Sequence, residues 1–195
     1  ASPRYTGPVE IGKSARFRAT ALREGGENAS YSREFAFSKS TGRPAVLNTK
    51  PNDSYTFEGA SLLVDGYHSR PVFTSGAWLG YLDEPLDVTI DMGGEQSYRS
   101  VELETLAEKG DWIFPPSSVT VWVSDNGTDF TEVASVAVPE AKAGDADGIG
   151  RCRMQCPETS ARYLKVVAQN AAAIPAWHPG AGSKGFLFVD EVVVE

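Results

Sequence analysis

The sequence is short of the residues that most catalytic and metal sites require. Its 195 residues include only two cysteines and two histidines. Cys152 and Cys156 form a CxxxC spacing without a second cysteine pair, which is a weak signal for a metal site. On an extended strand, residues four apart lie about 13 Å apart, whereas a disulfide requires Cα atoms within about 7 Å. We therefore expect two buried thiols, and a bridge only if the chain turns or bulges between them.

Long apolar runs and basic stripes are also missing. No window approaches the roughly 18 apolar residues of a membrane span. The first residues lack the apolar core of a signal peptide, but a mature or excised fragment would lack it too. The chain has 18 basic and 26 acidic residues, a net charge of −8, and its densest basic stretch, 13–23, is followed closely by Glu24 and Glu27. This pattern predicts no nucleic-acid partner and no membrane insertion, and it is compatible with a neutral ligand such as a sugar.

Recognisable catalytic motifs are absent from the sequence as well. There is no GxSxG nucleophile elbow, no P-loop, no GxGxxG fingerprint and no EF-hand loop. Glycosidases use two apposed carboxylates, but with 26 acidic residues a chance pair carries almost no information. The sequence therefore predicts a chain without a catalytic site of its own.

What the sequence does contain is a series of short strand patterns separated by turns. Gly (19) and Pro (12) are abundant, and hydrophobic residues make up 41% of the chain, which is typical of a globular, turn-rich β protein. Asn126-Gly127 is a strong hairpin signal, and no window shows a sustained helical stripe. Apolar alternation or β-rich composition predicts strands at 15–21, 31–37, 86–92, 119–123, 163–168 and 186–194. We therefore predict an all-β fold, as a sandwich or a barrel.

A polar segment, 38–44, ends in a proline and reads as a linker. We place a domain boundary near residue 43. Residues 1–43 are then a partial small β domain that contains a hairpin, and residues 44–195 form the larger β domain, which is long enough to bury a substantial core.

Three long loops carry aromatic residues, at 65–78, 108–116 and 170–185. Loops of this length in a compact β domain are usually functional. A flat aromatic ring can bury the C–H face of a sugar, while nearby polar side chains bond its hydroxyls. The alternative for each tryptophan is a loop anchor packed into the domain. The candidate sugar-stacking residues are Trp78, Trp112 and Trp177.

Two segments of the larger domain carry a family resemblance. VTVWVSDNGTDF at 119–130 and ARYLKVV at 161–167 resemble the discoidin, or coagulation factor 5/8 type C, domain. The Asp65-Gly66 pair followed by Trp78 and the closing strand 188–194 match the same family. The resemblance covers about residues 45–195 and implies an eight-stranded jelly-roll β-sandwich. The family includes the family 32 carbohydrate-binding modules.

Further segments resemble the C-terminal region of bacterial family 20 β-N-acetylhexosaminidases. These segments are 110–116, 175–182 and 187–191. Residues 5–11 of this chain are similar to part of a small β-sandwich domain that follows the catalytic barrel in those enzymes. The resemblance implies a non-catalytic carbohydrate-binding module from the C-terminal end of a secreted, periplasmic or cell-surface glycoside hydrolase. It also implies a GlcNAc- or galactose-type glycan and the parent catalytic domain as partners. The alternative is a purely structural domain that packs on the parent barrel without binding glycan.

The resemblance also implies two sites. Many discoidin modules hold a structural Ca²⁺, and the matching ligands here are Asp65 and Glu191, with loop carbonyls around 67–70. The alternative is that Asp65 caps a turn and Glu191 pairs with a base. For the sugar, the implied residues are Trp112, Trp177 and His178, with Arg70 and Lys184 bonding hydroxyls or an acidic sugar.

Overall fold

The computed structural model describes residues 3–26 and 28–195, which form nine strands and four short 3-10 helices. Within the described residues, no helix is long and apolar enough to cross a membrane. The strands are β1 (Ala15–Ala21), β2 (Ala29–Phe35), β3 (Ala45–Leu47), β4 (Leu79–Tyr81), β5 (Leu86–Ala107), β6 (Ser118–Ser124), β7 (Thr131–Ala137), β8 (Gly148–Gln169) and β9 (Leu187–Val194).

Two strands of 22 residues each, β5 and β8, run through both layers of the fold. Residues 86–91 of β5 pair with the end of β8 and with β3, and β6 and β7 extend this layer. Residues 96–107 of β5 pair with the start of β8 and with β9, and β4 extends the second layer. The pairing register shifts between Asp91 and Gln96, where β5 passes from one layer to the other. The predicted all-β sandwich is confirmed.

The core lies between the two layers and follows the alternation visible in the sequence. Every second residue from Leu86 to Met92 is buried, because successive side chains of a strand point to opposite faces. Val119 and Val121 of β6 pack in the same cluster. Strand β9 departs from this alternation, since Leu187 to Val192 are all buried. It is covered on both faces.

A second, smaller cluster lies beneath the long loops. Trp78 packs there with Leu106, Ile113 and Phe188. Its ring is 0% exposed, and its indole N–H donates to the Arg70 carbonyl over 2.9 Å. The expectation that Trp78 stacks on a sugar is therefore corrected, because no face of the ring can be reached by a ligand. Trp78 is the loop anchor of the alternative interpretation.

The N-terminal segment forms a separate two-stranded sheet. Strand β1 lies where it was predicted, and the return strand β2 covers 29–35 instead of 31–37. Residues that follow β2 contact the larger domain through backbone hydrogen bonds, from Ala36 N to Gly66 O and from Gly42 N to Val64 O, both 2.7 Å. The division of the chain at residue 43 remains a prediction.

The two cysteines lie four residues apart on β8 and are unpaired. Both are partly buried, and burial raises the pKa of the Cys152 thiol to about 11. Because the thiolate is the reactive form, this cysteine is unreactive near neutral pH.

Trp78→Ala should destabilise the fold strongly, because it empties a fully buried site in the second cluster. We expect a loss of about 3–5 kcal/mol, measured by chemical or thermal unfolding. The control is Tyr5→Ala, which removes a side chain that is 72% exposed and should change stability little. Equal, small effects of the two substitutions would contradict the burial described here.

Candidate functional site

Four loops meet at one end of the sandwich: 82–85, 108–117, 138–147 and 170–186. The pairs Leu86↔Ala168, Ser118↔Gln169 and Ser118↔Ala137 bring several of the strand ends together. The loop 108–117 then crosses from the end of β5 to the start of β6. All the exposed aromatic residues of the predicted sugar site lie on these loops.

His178 holds two of the loops together. The ring is only 9% exposed, and Nδ1 accepts the N–H of Gly180 over 3.0 Å. Nε2 lies 2.9 Å from the carbonyl oxygen of Lys109, so it is the protonated nitrogen of a neutral ring and donates to that oxygen. Both ring nitrogens are therefore used by the backbone. The expectation that His178 bonds a sugar is corrected, because its ring orients the loops instead.

Trp112 and Trp177 contact this histidine ring from two loops. Their ring centroids lie 6.2 and 5.5 Å from that of His178, with interplanar angles of 88° and 82°. Phe114 packs edge-on against His178 at 5.5 Å. The two tryptophans remain 43% and 39% exposed. The structure thus brings together, at the surface, the two rings that the sequence singled out; their role in binding remains a prediction.

Each exposed ring is also fixed by its own contacts. The Trp177 indole N–H donates to the Ala141 carbonyl over 2.9 Å. A Cβ added at Gly180 would lie 2.8 Å from the Trp112 ring, so only glycine lets that ring rest on the loop backbone. Trp112 itself has φ 64°, an uncommon conformation for a residue with a side chain. Strained backbone of this kind often marks a functional position.

An apolar groove of about 370 Å³ lies beside Trp177. Its walls are residues 114–117, 138–141 and 171–176, and four of the lining residues are prolines. Because proline fixes the backbone dihedral φ, the groove has rigid walls. Glu140 is the one ionisable side chain in its lining.

The two basic candidates lie apart from the aromatic rings. Lys184 Nζ forms an ion pair with Asp83 Oδ1 at 2.6 Å. Arg70 is exposed, and within the described residues its side chain forms no ion pair. Its carbonyl accepts the indole N–H of Trp78 and the backbone N–H of Val72. No recorded contact joins either cation to Trp112 or Trp177. Their role toward a sugar remains a prediction.

The Asp-Gly loop is held by buried carboxylates of the last strand. Both oxygens of Glu191 accept the N–H of Gly66 at 3.2 Å, and Asp190 accepts the N–H of Ser69 at 2.7 Å. Asp65 accepts the N–H of Tyr67 at 2.7 Å, so it does cap a turn. No base pairs with Glu191 within the described part of the chain, contrary to the alternative interpretation.

A second set of contacts on this loop was not foreseen from the sequence. His68 Nδ1 lies 2.8 Å from Glu104 Oε2, and Arg151 reaches the other oxygen of the same carboxylate at 2.7 Å. The contact with Glu104 raises the pKa of His68. Burial alone would raise the pKa of Glu104, but the nearby His68 and Arg151 outweigh it and lower that pKa. The one signal for this pair is that Glu104 occupies a buried position of strand β5, and that burial is visible only in the structure.

Glu191 has no cation in contact among the described residues. Burial, with the charges of Asp65 and Asp190, raises the pKa of Glu191 to about 9. Burial also raises the pKa of Asp190 to about 7 and that of Asp65. Carboxylate and carbonyl oxygens are hard ligands that suit Ca²⁺, so the chemistry of the donors fits this ion. No three His, Cys, Asp or Glu side chains in the described ranges are grouped to hold a metal, so backbone carbonyls would have to complete the set.

Comparison with known proteins identifies the family. A model of the F5/8 type C domain matches residues 48–184. The chain belongs to the F5/8 type C domain family. A search of curated proteins found no match.

Solved structures share the fold of this F5/8 type C domain at low sequence identity. The module CpGH89CBM32-5 of Clostridium perfringens, solved in complex with GalNAc-β-1,3-galactose, is 16% identical with a TM-score of 0.51, covering 77% of this chain and 93% of that one. Chitosan-binding module 1 of a chitosanase/glucanase from Paenibacillus sp. IK-5 is 18% identical with a TM-score of 0.51, covering 81% and 98%. Module 2 of the same enzyme, solved with chitotriose, is 16% identical with a TM-score of 0.50, covering 80% and 98%.

The buried acids predict how the stability of the metal-free domain depends on pH. The folded-state pKa of Glu191 lies above its ordinary value, so the folded protein binds more protons and loses stability as the pH rises from about 5 towards 9. Each pH unit in that window costs up to about 1.4 kcal/mol per group, which lowers Tm by a few degrees. Thermal unfolding in EDTA across this range measures the decline.

Glu191→Gln should reduce this decline, because the amide keeps an oxygen for the Gly66 N–H without carrying a charge. The decline should not vanish, since the raised pKa of His68 gives a stabilisation that is also lost as the pH rises. Exposed Glu132 provides the control, and Glu132→Gln should keep the wild-type profile. A Tm that rises from pH 5 to pH 9 in EDTA would contradict the uncompensated burial of Glu191.

Proposed function

We propose that this domain is a non-catalytic carbohydrate-binding module and that Trp112 and Trp177 form its glycan platform. The observation that carries the proposal is the exposure of both rings around one buried, backbone-bonded histidine. The rings are held in place before any ligand arrives, so little conformational entropy is lost on binding. Preorganised aromatic surface is what a sugar ring needs in order to bury its C–H face.

Solved structures with the same fold support this proposal. Two of the structures described above contain a bound saccharide, GalNAc-β-1,3-galactose in one and chitotriose in the other. By analogy, the glycan of this domain has a GlcNAc- or galactose-type backbone. The groove beside Trp177 gives a second surface along which a longer oligosaccharide can extend.

The parent protein that we propose is a bacterial glycoside hydrolase, of the β-N-acetylhexosaminidase type. Support comes from the segments 110–116, 175–182 and 187–191, which resemble the C-terminal region of those enzymes. The domain would then act outside the cytoplasm, in a secreted, periplasmic or cell-surface enzyme, and would hold the catalytic domain near its glycan. Catalysis would belong to that other domain.

Calcium is the metal that we propose for the Asp-Gly loop. Asp65 and Glu191 would supply carboxylate oxygens, and loop carbonyls at 67–70 would supply others. When bound, the ion supplies positive charge beside the buried Glu191, which has no cationic partner among the described residues, and beside the half-buried Asp65. Its role is structural, since it would fix the loop that ends in the buried Trp78.

A purely structural role is the second candidate function. The apolar, proline-lined groove favours it, because such a surface also suits contact with another domain. In that case Trp112 and Trp177 would be anchors of a protein interface. Direct glycan titration separates the two functions.

Trp177→Ala and Trp112→Ala should each weaken glycan binding about 5- to 150-fold, because each removes a stacking surface worth about 1–3 kcal/mol. Isothermal titration against N-acetylglucosamine and galactose oligosaccharides measures the loss. Stability should fall by less than for Trp78→Ala, since the two side chains are 43% and 39% exposed whereas Trp78 is fully buried. The control Tyr5→Ala removes an exposed aromatic far from the loops in sequence and should bind normally. If neither tryptophan substitution changes the affinity, the glycan binds elsewhere on the domain. If the domain binds no glycan at all, its role is structural.

EDTA should lower Tm and added Ca²⁺ should restore it, since an ion that binds only the folded state stabilises that state. At 100 times its dissociation constant the gain is about 2.7 kcal/mol. Glu191→Gln should weaken or abolish the response to Ca²⁺, whereas Glu132→Gln should retain it. An identical melting curve with EDTA and with millimolar Ca²⁺ would show that Asp65 and Glu191 hold only the loop backbone.

A further inference from the structure

One face of the N-terminal hairpin is apolar apart from a single cation. Because side chains alternate along a strand, every second residue of β1 and β2 lies on this face. Phe17 is paired across the strands with Arg33, and Ala19 is paired with Tyr31. Phe35 and further alanines complete the face. Arg33 is therefore the only charged residue among its paired positions.

A pocket of about 300 Å³ opens on this face. The segment that precedes β1 supplies part of the wall with Val9 and Ile11, and the hairpin supplies Phe17 and Phe35. Two tyrosines complete the aromatic lining, and Arg33 is the only charged residue among the lining side chains. A mostly apolar pocket with one oriented polar group is the usual composition of a small-molecule site.

The Arg33 guanidinium is half-buried and stacked, and it has no carboxylate partner within the described residues. Its Cζ lies 3.7 Å from the centroid of the Tyr67 ring, and its Nε is buried without a hydrogen-bond partner there. Glu34 points to the other face of the hairpin, where it pairs with Arg16 over 2.9 Å. Asp65 lies near enough to feel the charge, but its carboxylate accepts the Tyr67 N–H instead. A charge that is partly removed from water without a partner is unfavourable, so an anion that reaches Arg33 gains a ready partner.

We propose that this pocket binds an apolar carboxylate, that is, a small anion with an alkyl or aryl body. The carboxylate pairs with the Arg33 guanidinium, whose planar donors match its two oxygens. The apolar body lies against Phe17 and Phe35. The site belongs to the N-terminal hairpin, so it is independent of the proposed glycan platform, which is built from other loops.

The lining favours this class of ligand over others. A sugar would lose the water around its hydroxyl groups, and the pocket offers few polar groups to replace it. Inorganic phosphate or sulfate would bury none of the apolar wall. A cationic ligand would meet an unpaired guanidinium of the same sign. Because Arg33 is already stacked on Tyr67, it loses little conformational freedom when the carboxylate binds.

The direct test uses three probes with the same alkyl chain. Octanoate, octanol and octylammonium are titrated into the intact 195-residue chain at neutral pH by isothermal titration calorimetry. We expect octanoate to occupy one site per chain and to bind about tenfold more tightly than octanol, because only the carboxylate pairs with Arg33. Octylammonium should bind most weakly. Equal affinities of octanoate and octanol, or no binding of octanoate, would overturn the proposal.

Variants of two arginines locate the effect. Arg33→Gln should lower the affinity for octanoate about tenfold and leave that for octanol unchanged. Arg33→Lys keeps the charge but not the planar guanidinium, so its affinity should lie between those of the wild type and Arg33→Gln. The matched control is Arg18→Gln, which removes an exposed cation from the opposite face of the same hairpin and should bind like the wild type. Equal losses in Arg33→Gln and Arg18→Gln would contradict a site at Arg33.

The unmodified chain gives a second readout that does not depend on how the variants fold. NMR follows the Arg33 Nε–H signal and the backbone amides of β1 and β2 during the octanoate titration. We expect these signals to shift with one dissociation constant, while the indole signals of Trp112 and Trp177 stay in place. Shifts confined to other strands would place the carboxylate elsewhere. A chain that forms dimers in sedimentation through Arg33 and takes up no octanoate would assign the face to a second copy. Either result overturns the proposal.

Discussion

The binding end of this domain depends on the two hydrogen bonds of one neutral histidine. His178 accepts from the Gly180 N–H and donates to the Lys109 carbonyl, so a single buried ring joins two loops that are far apart in sequence. Trp112 and Trp177 then contact that ring nearly at right angles. The buried ring and its two hydrogen bonds thus fix the loops that carry both exposed tryptophans.

Carboxyl groups, instead of a histidine ring, hold the Asp-Gly loop. There, buried carboxylates of β9, Asp190 and Glu191, accept backbone N–H groups of the loop. Burial and the charges of neighbouring carboxylates raise the pKa values of both acids. Both loops are thus held by hydrogen bonds to the backbone, but the acceptors at the Asp-Gly loop are titratable, which makes that loop sensitive to pH and to any bound cation.

The strands could be predicted from sequence because apolar alternation and Asn126-Gly127 reflect local rules. The exposed pair Trp112 and Trp177 was also found, since tryptophans among glycines and prolines in long loops are unusual core residues. The passage of β5 through both layers could not be predicted, because it depends on register shifts set by partner strands. Burial of Trp78 and the use of both His178 nitrogens depend equally on contacts that are distant in sequence.

The most direct measurement is a titration of the labelled domain with glycan, followed by NMR through the four tryptophan indole N–H signals. Trp78 is fully buried, and Trp122 lies on β6 outside the loops. The account predicts that the signals of Trp112 and Trp177 shift together with one dissociation constant, while that of Trp78 stays in place and that of Trp122 changes little. Shifts confined to Trp122, or a saturating titration in which neither loop tryptophan moves, would contradict it.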